Sequence, residues 1–305
     1  MEPQTITGPA IITVNGTTIY SEGNITETIK RETWQPKLDM YGPFDTRLKT
    51  QMVELEFTPV GALANAAALF PYAPADIGSD VFSKGGNVVI QTKAGQRITY
   101  TMGTITKMPP MQLGTNKTWL GAMQVTCKAN GAVEYTDAAA WNAVASNAFA
   151  DTSFDDTLVK TGQYLATWGS IFTSEGSQEG FEVAYEMATK PLTPDGFNIV
   201  AMLLTGLTAK VRFKPISFNE ATFYANMRLQ GADAILPGDS LSKMLSDMTI
   251  VSTTTGLTVV VNKVGPASGG QVFTLDNYRQ GQLEFASRLT FTAGTVNPLI
   301  QITIA

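Results

Sequence analysis

Asp155 stands next to Asp156, and Glu54 lies two positions from Glu56. Carboxylate pairs of this kind divide general acid from general base in many hydrolases. Neither pair is accompanied by a partner nucleophile or a metal-binding cluster. The chain has no histidine, which removes the commonest general base at neutral pH, the commonest imidazole ligand and every His-based triad. Its single cysteine, Cys127, lies in the alternating run from Met123 to Lys128, has no disulfide partner in the chain and offers no zinc-type cluster, so it reads as a small buried side chain. Gly85-Gly86 and Gly269-Gly270 lack the Gly-Lys-Ser/Thr that grips phosphate. Asn15-Gly16-Thr17, Asn24-Ile25-Thr26 and Asn116-Lys117-Thr118 fit the glycosylation pattern, but without an export signal they read as turn chemistry. The carboxylates are therefore expected to form solvated acidic faces, and the chain is expected to have no catalytic residue, cofactor or metal.

Glu54 and Glu56 belong to a segment that occurs twice. Glu54-Leu55-Glu56-Phe57-Thr58-Pro59 matches Lys210-Val211-Arg212-Phe213-Lys214-Pro215 at a spacing of 156, with the apolar alternates and the closing proline kept and the charges reversed. Other blocks recur in the same order. Ile11, Thr13 and Gly16 fall on Ile171, Thr173 and Gly176, and Ile25, Glu27 and Ile29 on Phe181, Val183 and Tyr185. The run Val88 to Gly95 falls on Thr249 to Gly256 at a spacing of 161, and Gly121 and Val125 on Gly281 and Phe285 at 160. This order predicts a duplicated β domain, with a first copy over 1–133, a connector over 134–168 and a second copy over 169–305. Side chains two apart share one face of a strand. One copy thus carries an acidic strip (Glu54, Glu56) where the other carries a basic one (Lys210, Arg212, Lys214), and the expectation is that the strips pair across junctions between copies.

A chain of 305 residues accommodates two domains. Charged residues make up 15%, against about a quarter in an average globular domain, which suits a surface covered by other subunits. Residues 1–150 carry 11 Lys and Arg against 12 Asp and Glu, and residues 151–305 carry 10 against 14. Neither half has the basic stripe of a phosphate-gripping protein. No apolar run approaches the roughly 20 residues of a membrane span, and Met1 to Gly8 has neither the charge nor the apolar run of a signal peptide.

Alternating runs predict strands at 10–14 and 24–29, with Asn15-Gly16 as the hairpin signal, then at 52–57, 87–92, 96–103 and 119–128. Their counterparts are 248–253, 256–263 and 281–291. Met108-Pro109-Pro110-Met111 reads as a loop that stops ladder pairing. Short helices are expected at 62–70 and 219–229, and a further one at 138–150 that either completes the first copy or acts as a spacer. Two long polar connections, Lys30 to Thr50 and Met187 to Val200, read as loops exposing Trp34, Tyr41, Phe44 and Phe197. The fold class is α+β and mostly β, with two tandem sandwich or barrel domains, each with one short helix.

Gly8 to Gly16, Tyr20 to Ile25, Phe57 to Gly61 and Ala94 to Tyr100 together resemble tail proteins of long-tailed bacteriophages, over most of the first copy. In that family, tail tube proteins form rings around a lumen, with strands of each domain joining an inner barrel and with loops and arms reaching from ring to ring. The resemblance implies a tube subunit of a non-contractile, siphovirus-type tail, located in the virion and assembled in the host cytoplasm. Six single-domain subunits close a ring in such tubes, so two domains per chain imply a homotrimer. Implied partners are further copies of the chain, tape-measure protein and DNA within the lumen, and tail terminator and distal tail proteins. Trp34, Tyr41, Phe44 and Phe197 are then the expected ring-to-ring contacts. The rival reading is a two-domain virion module that binds carbohydrate or a receptor through Trp34, Tyr41 and Trp119.

Overall fold

The computed structural model describes residues 4–6, 10–35, 37–38, 42–43, 45–60, 66–92, 97–115, 119–128, 134–136, 162–169, 172–193, 201–216, 237, 244–267, 272–274, 280–292 and 295–304. The first copy contains β1 (Gln4–Ile6), β2 (Ala10–Val14), β3 (Thr17–Trp34), β4 (Lys37–Leu38), β5 (Gly42–Pro43), β6 (Arg47–Val60), helix α1 (Ala66–Leu69), β7 (Gly86–Thr92), β8 (Arg97–Lys107), β9 (Met111–Leu113), β10 (Met123–Lys128) and β11 (Glu134–Thr136). The second contains β12 (Tyr164–Trp168), β13 (Phe172–Leu192), β14 (Ala201–Pro215), β15 (Ser246–Ser252), β16 (Leu257–Pro266), β17 (Val272–Thr274), β18 (Gln280–Ser287), β19 (Phe291–Thr292), β20 (Thr295–Val296) and β21 (Ile300–Ile304). Two 3-10 turns, Pro74–Asp76 and Val81–Lys84, lie between α1 and β7.

Each copy is an antiparallel sheet that closes on itself. In the first, the path β3-β2-β7-β8-β10-β6 returns to β3; in the second, β13-β12-β15-β16-β18-β14 returns to β13. Closure removes the edges that an open sheet would expose. Alternation along each strand turns one face inward, so Ile12, Ile25, Leu55, Ile90 and Val125 are buried in the first barrel and Ala166, Val211, Ile250, Val259 and Phe285 in the second. The mostly β, two-copy architecture read from the sequence is thus observed.

The duplication extends to hydrogen-bond register. In the first copy Ser21 pairs with Pro59, Thr26 with Glu56 and Thr33 with Leu48, with irregularities after Glu22 and Glu32. Adding 156 to each pair gives the second copy: Ser177 pairs with Pro215, Glu182 with Arg212 and Thr189 with Leu204, with irregularities after Ser177, one residue earlier than in the first copy, and after Ala188. The remaining ladders agree as well. Val125 pairs with Leu55 as Phe285 pairs with Val211, and Val88 pairs with Tyr100 as Met248 pairs with Val261. β11 lies on β8 as β21 lies on β16. Because a one-residue slip turns every side chain to the opposite face, retention of all these registers shows that both barrels are built on one plan.

Four expectations are corrected. Tyr164–Trp168, assigned from the sequence to a connector, is the first strand of the second barrel: Leu165 pairs with Gly176 as Ile11 pairs with Tyr20. The counterpart of Ile11 is therefore Leu165 and not Ile171. The β7 and β15 segments match at a spacing of 160, not 161; Val88 and Ile90 point inward like Met248 and Ile250, whereas Val251 is exposed. The segments read as long loops are, at both ends of 30–50 and over 187–192, continuations of strands. β3 and β6 stay paired out to Trp34 and Arg47, and β13 and β14 out to Leu192 and Ala201. Their polar residues reflect a two-stranded arm wetted on both faces, not the absence of a ladder. The loop Met108–Pro110 leads directly into another strand, β9. Of the expected helices, only Ala66–Leu69 within 62–70 is observed; 219–229 and 138–150 lie outside the described residues.

Candidate assembly surfaces

Among the described residues, two main contacts join the copies. In the first, β9 leaves its own barrel and pairs with β13 of the other, Met111 opposite Val183 and Leu113 opposite Phe181. Its approach passes a bulge at Gly180, whose φ is +85° and where a Cβ would lie 2.6 Å from the Leu113 carbonyl oxygen. Only glycine combines that backbone with that proximity. Met108, Met111, Leu113 and Leu120 are fully buried here, so this connection between β8 and β10 is core material. In the second contact, the 3-10 turns of the first copy grip the arm of the second. Gly78 N–H donates to the Leu204 carbonyl (2.7 Å), Leu204 N–H to the Ser79 carbonyl (3.0 Å) and Met202 N–H to the Asp80 carboxylate (2.9 Å). The same Asp80 carboxylate accepts from Phe82 N–H at the start of its turn. Phe70 packs on Tyr185 with ring centroids 5.9 Å apart. One continuous hydrophobic cluster runs through both barrels.

The corresponding surfaces of the first copy are different. Leu204 is fully buried, whereas Leu48, its equivalent in register, is 56% exposed, and Trp34 beside it is also 56% exposed. The place on β3 that corresponds to the β9 site on β13 is held by β1: Ile6 lies opposite Ile25 and Gln4 opposite Glu27. Ile25 and Glu27 are the equivalents of Phe181 and Val183. Gly23, in the matching bulge with φ +77°, has nothing within 4 Å of its Cβ position among the described residues.

Of the expected ring-contact residues, Trp34 is thus placed at the outer end of an arm and is exposed. Tyr41, Phe44 and Phe197 lie outside the described residues. Trp119 is 4% exposed, and its indole N–H is buried with no hydrogen-bond partner among the described residues, so it is no open platform for stacking a sugar.

The reversed charge strips find partners within their own copies. In the first, the Glu54 carboxylate meets Lys30 at 2.6 Å and accepts from the Gln124 amide at 2.7 Å, while Glu56 lies 3.8 Å from Lys107. In the second, Lys210 lies 2.8 Å from Glu186, and Lys214 lies 3.5 Å from Glu179. Arg212 donates to Glu284 at 2.7 Å and to Glu182 at 3.0 Å. Glu186 is the equivalent of Lys30, so Lys30–Glu54 and Glu186–Lys210 are the same ion pair with its signs exchanged. The reversal is accounted for inside each barrel and requires no contact between copies. The guanidinium hydrogen bond to Glu284 holds that carboxyl below its usual range and raises the Arg212 pKa.

An open cleft of about 560 Å³ lies at the junction, lined in part by Leu113, Gly162, Gln163, Ser177, Gln178 and Glu179. Its one carboxylate among the described residues, Glu179, is the ion-pair partner of Lys214. No group of three or more potential metal ligands occurs among the described residues, and none of the described helices is long and apolar enough to cross a membrane. Sequence reasoning missed Asp80 and β9. Asp80 carries no sequence signal, but the alternation Met111-Gln112-Leu113 after the proline pair marks a short strand. No protein-family model matches this sequence, and no curated protein matches it either.

Proposed function

We propose that the chain is a structural subunit that assembles through copies of itself into stacked rings, the tube of a non-contractile phage tail, and that it is not an enzyme. The observation that carries this reading is the junction within the chain. One barrel receives a strand and an arm clasp from the other, while the first barrel's own arm leaves the equivalent leucine uncovered. A contact between non-identical surfaces is heterologous, and repeating it from chain to chain gives a closed ring or an open helix. Two barrels per chain make three chains equivalent to six domains. The paired arms, exposed at Trp34 and Leu192, supply the ring-to-ring contacts. A net charge of −5 suits a conduit, because a basic wall would hold phosphates by counterion release and slow the passage of DNA.

Electron microscopy and native mass spectrometry of the purified protein test the proposal. Hollow stacked rings, released as units of three chains, are expected. A persistent monomer at high concentration counts against the tube, and if that monomer also binds glycans the carbohydrate module takes its place.

A further inference from the structure

The junction between the two barrels of one chain is asymmetric in a way that identifies what the first barrel lacks. The strand β9 lies between β8 and β10, and from there it crosses to β13 of the second barrel. The strand β17 lies at the same point of the repeat, between β16 and β18. It pairs on one side with the start of β18, Phe273 opposite Gly281 and Thr274 opposite Gln280. The corresponding connection of the first copy is held in the same way, by Gly121 N–H to the Pro110 carbonyl (2.7 Å) and Gln112 N–H to the Trp119 carbonyl (2.8 Å); with Gly281 equivalent to Gly121, Phe273 stands where Pro110 does and Thr274 where Met111, the first residue of β9, does. β9 uses its other edge on β13. The equivalent slot, on Ile25 to Glu27 of β3, is occupied in the single chain by the three-residue strand β1.

We infer that β17 of one chain adds to β3 of the next, displacing β1, so that the chain-to-chain junction repeats the junction already present within the chain. This rests on the proposed ring assembly and specifies its contact. Three features of the first barrel fit an incoming chain. The slot has the same register as the one β9 fills. The positive-φ glycine at its bulge, Gly23, lacks among the described residues the close backbone neighbour that Gly180 has in Leu113. Leu48, exposed on the same strand pair, stands where Leu204 is covered in the filled junction. Main-chain hydrogen bonds supply the attraction in strand addition, and alternate side chains select the partner. β1 then acts as a plug. While it holds the slot, the competent fraction of chains is small, and the apparent affinity for the next chain is reduced by that fraction.

Two variants of the full-length protein test this. In the first, Phe273 is replaced by the photo-crosslinker benzoylphenylalanine, and chains of two isotopic labels are mixed, allowed to assemble and irradiated. Mixed-label crosslinks to the peptide spanning Gly23 to Lys30 are expected. In the second, residues 1–8 are deleted, which should lower the concentration needed for assembly on the order of tenfold, as expected for removing a strand that keeps about nine slots in ten closed. If rings or tubes form but Phe273 crosslinks elsewhere, or deletion of 1–8 leaves or weakens assembly, the strand exchange is wrong while the tube reading stands. If no assembly is seen by electron microscopy for either the full chain or the deletion, the tube reading fails and the strand exchange fails with it.

Discussion

The two barrels follow one hydrogen-bonding plan and fill it with different chemistry. In the second, Trp168, Phe172, Phe181, Phe213 and Phe285 form an aromatic cluster, with Trp168 edge-on to Phe285 at 4.6 Å and its indole N–H bonded to the Val264 carbonyl at 3.1 Å. The equivalent inward positions of the first are Val14, Ile25, Phe57 and Val125, aliphatic but for one ring. The same contrast holds outside: the second arm is clasped at Met202 and Leu204, and the first arm is open at Leu48. A backbone plan therefore survives exchange of nearly every side chain that fills it, provided inward positions stay apolar and the bulges stay in place. What distinguishes the copies is how each side chain is covered.

The largest effect should come from the aromatic core. Trp168→Ala removes the ring at the centre of the cluster and should cost about 3–5 kcal/mol, whereas Val14→Ala at the equivalent position should cost about 2 kcal/mol. Denaturant titration followed by hydrogen exchange measures both. Equal losses, or loss of protection first in the unmutated barrel, would mean that the cores are not independently filled.

The clasp comes next. Leu204→Ala should destabilise the isolated chain by about 2–5 kcal/mol, while Leu48→Ala should stay within about 0.5 kcal/mol, as surface changes do. Leu48→Ala should nevertheless weaken assembly, because burying a leucine contributes about 1.5–3 kcal/mol. Assembly that is indifferent to Leu48 would show that the open arm is merely wet.

Alkaline pH should separate the barrels more gradually. Burial pushes Cys127 and Tyr72 in the first barrel up to about 12, and Tyr100 higher still beside Glu27. In the second, burial raises Tyr185 to about 12 and raises Tyr164 as well. These groups are neutral when folded and ionise more readily when unfolded. Their contribution is thus complete below the ordinary thiol and phenol values and falls away as pH rises from about 9 to 12. Peptides of the first barrel, which holds the thiol and two of the four tyrosines, should lose hydrogen-exchange protection at lower pH than those of the second. The reverse order would contradict the burial argument.

The smallest effect belongs to the exchanged ion pair. Glu54→Lys brings a second ammonium group against Lys30 at a half-buried position and should cost about 1 kcal/mol, the upper end for surface pairs, and Lys30→Glu should restore the loss. Adding Lys210→Glu with Arg212→Glu instead should restore nothing. Rescue by that second pair would bring back a charge contact between copies. Urea midpoints distinguish the two.

Much of this fold is legible in the sequence because a closed antiparallel barrel is written in period-two alternation. The β6 and β14 segments align correctly from Leu55, Phe57, Val211 and Phe213, whose inward side chains fix the register. The arms are not legible as strands. From Lys30 to Trp34 both faces are exposed, so no alternation marks the ladder, and cross-strand pairing to residues such as Thr50 and Leu48 leaves no local signal. The extent of the second barrel is misread for the opposite reason. Tyr164 to Trp168 alternates well, but an incorrect spacing gives its role to Ile171 and Thr173. The surfaces are hardest to read, since β9, Asp80 and Leu204 acquire their roles from residues 68 to 126 positions away. Of the four aromatics expected to be exposed, Trp34 is the one among the described residues, and it is exposed.

A duplicated chain faces a hazard during synthesis, because strands of the first copy can pair with their twins in the second before either barrel closes. Crossing between repeats in this way is a characteristic route to misassembly. The exchanged ion pair bears on that choice. If β6 took β13 as its neighbour in place of β3, Glu54 would stand against Glu186; if β14 took β3, Lys210 would stand against Lys30. Each wrong pairing sets like charges side by side on adjacent strands, which is destabilising, and each correct one sets opposites together. The aromatic rings of one core and the aliphatic groups of the other make the same discrimination inside. The divergence between the copies thus tells each nascent strand which sibling it belongs to.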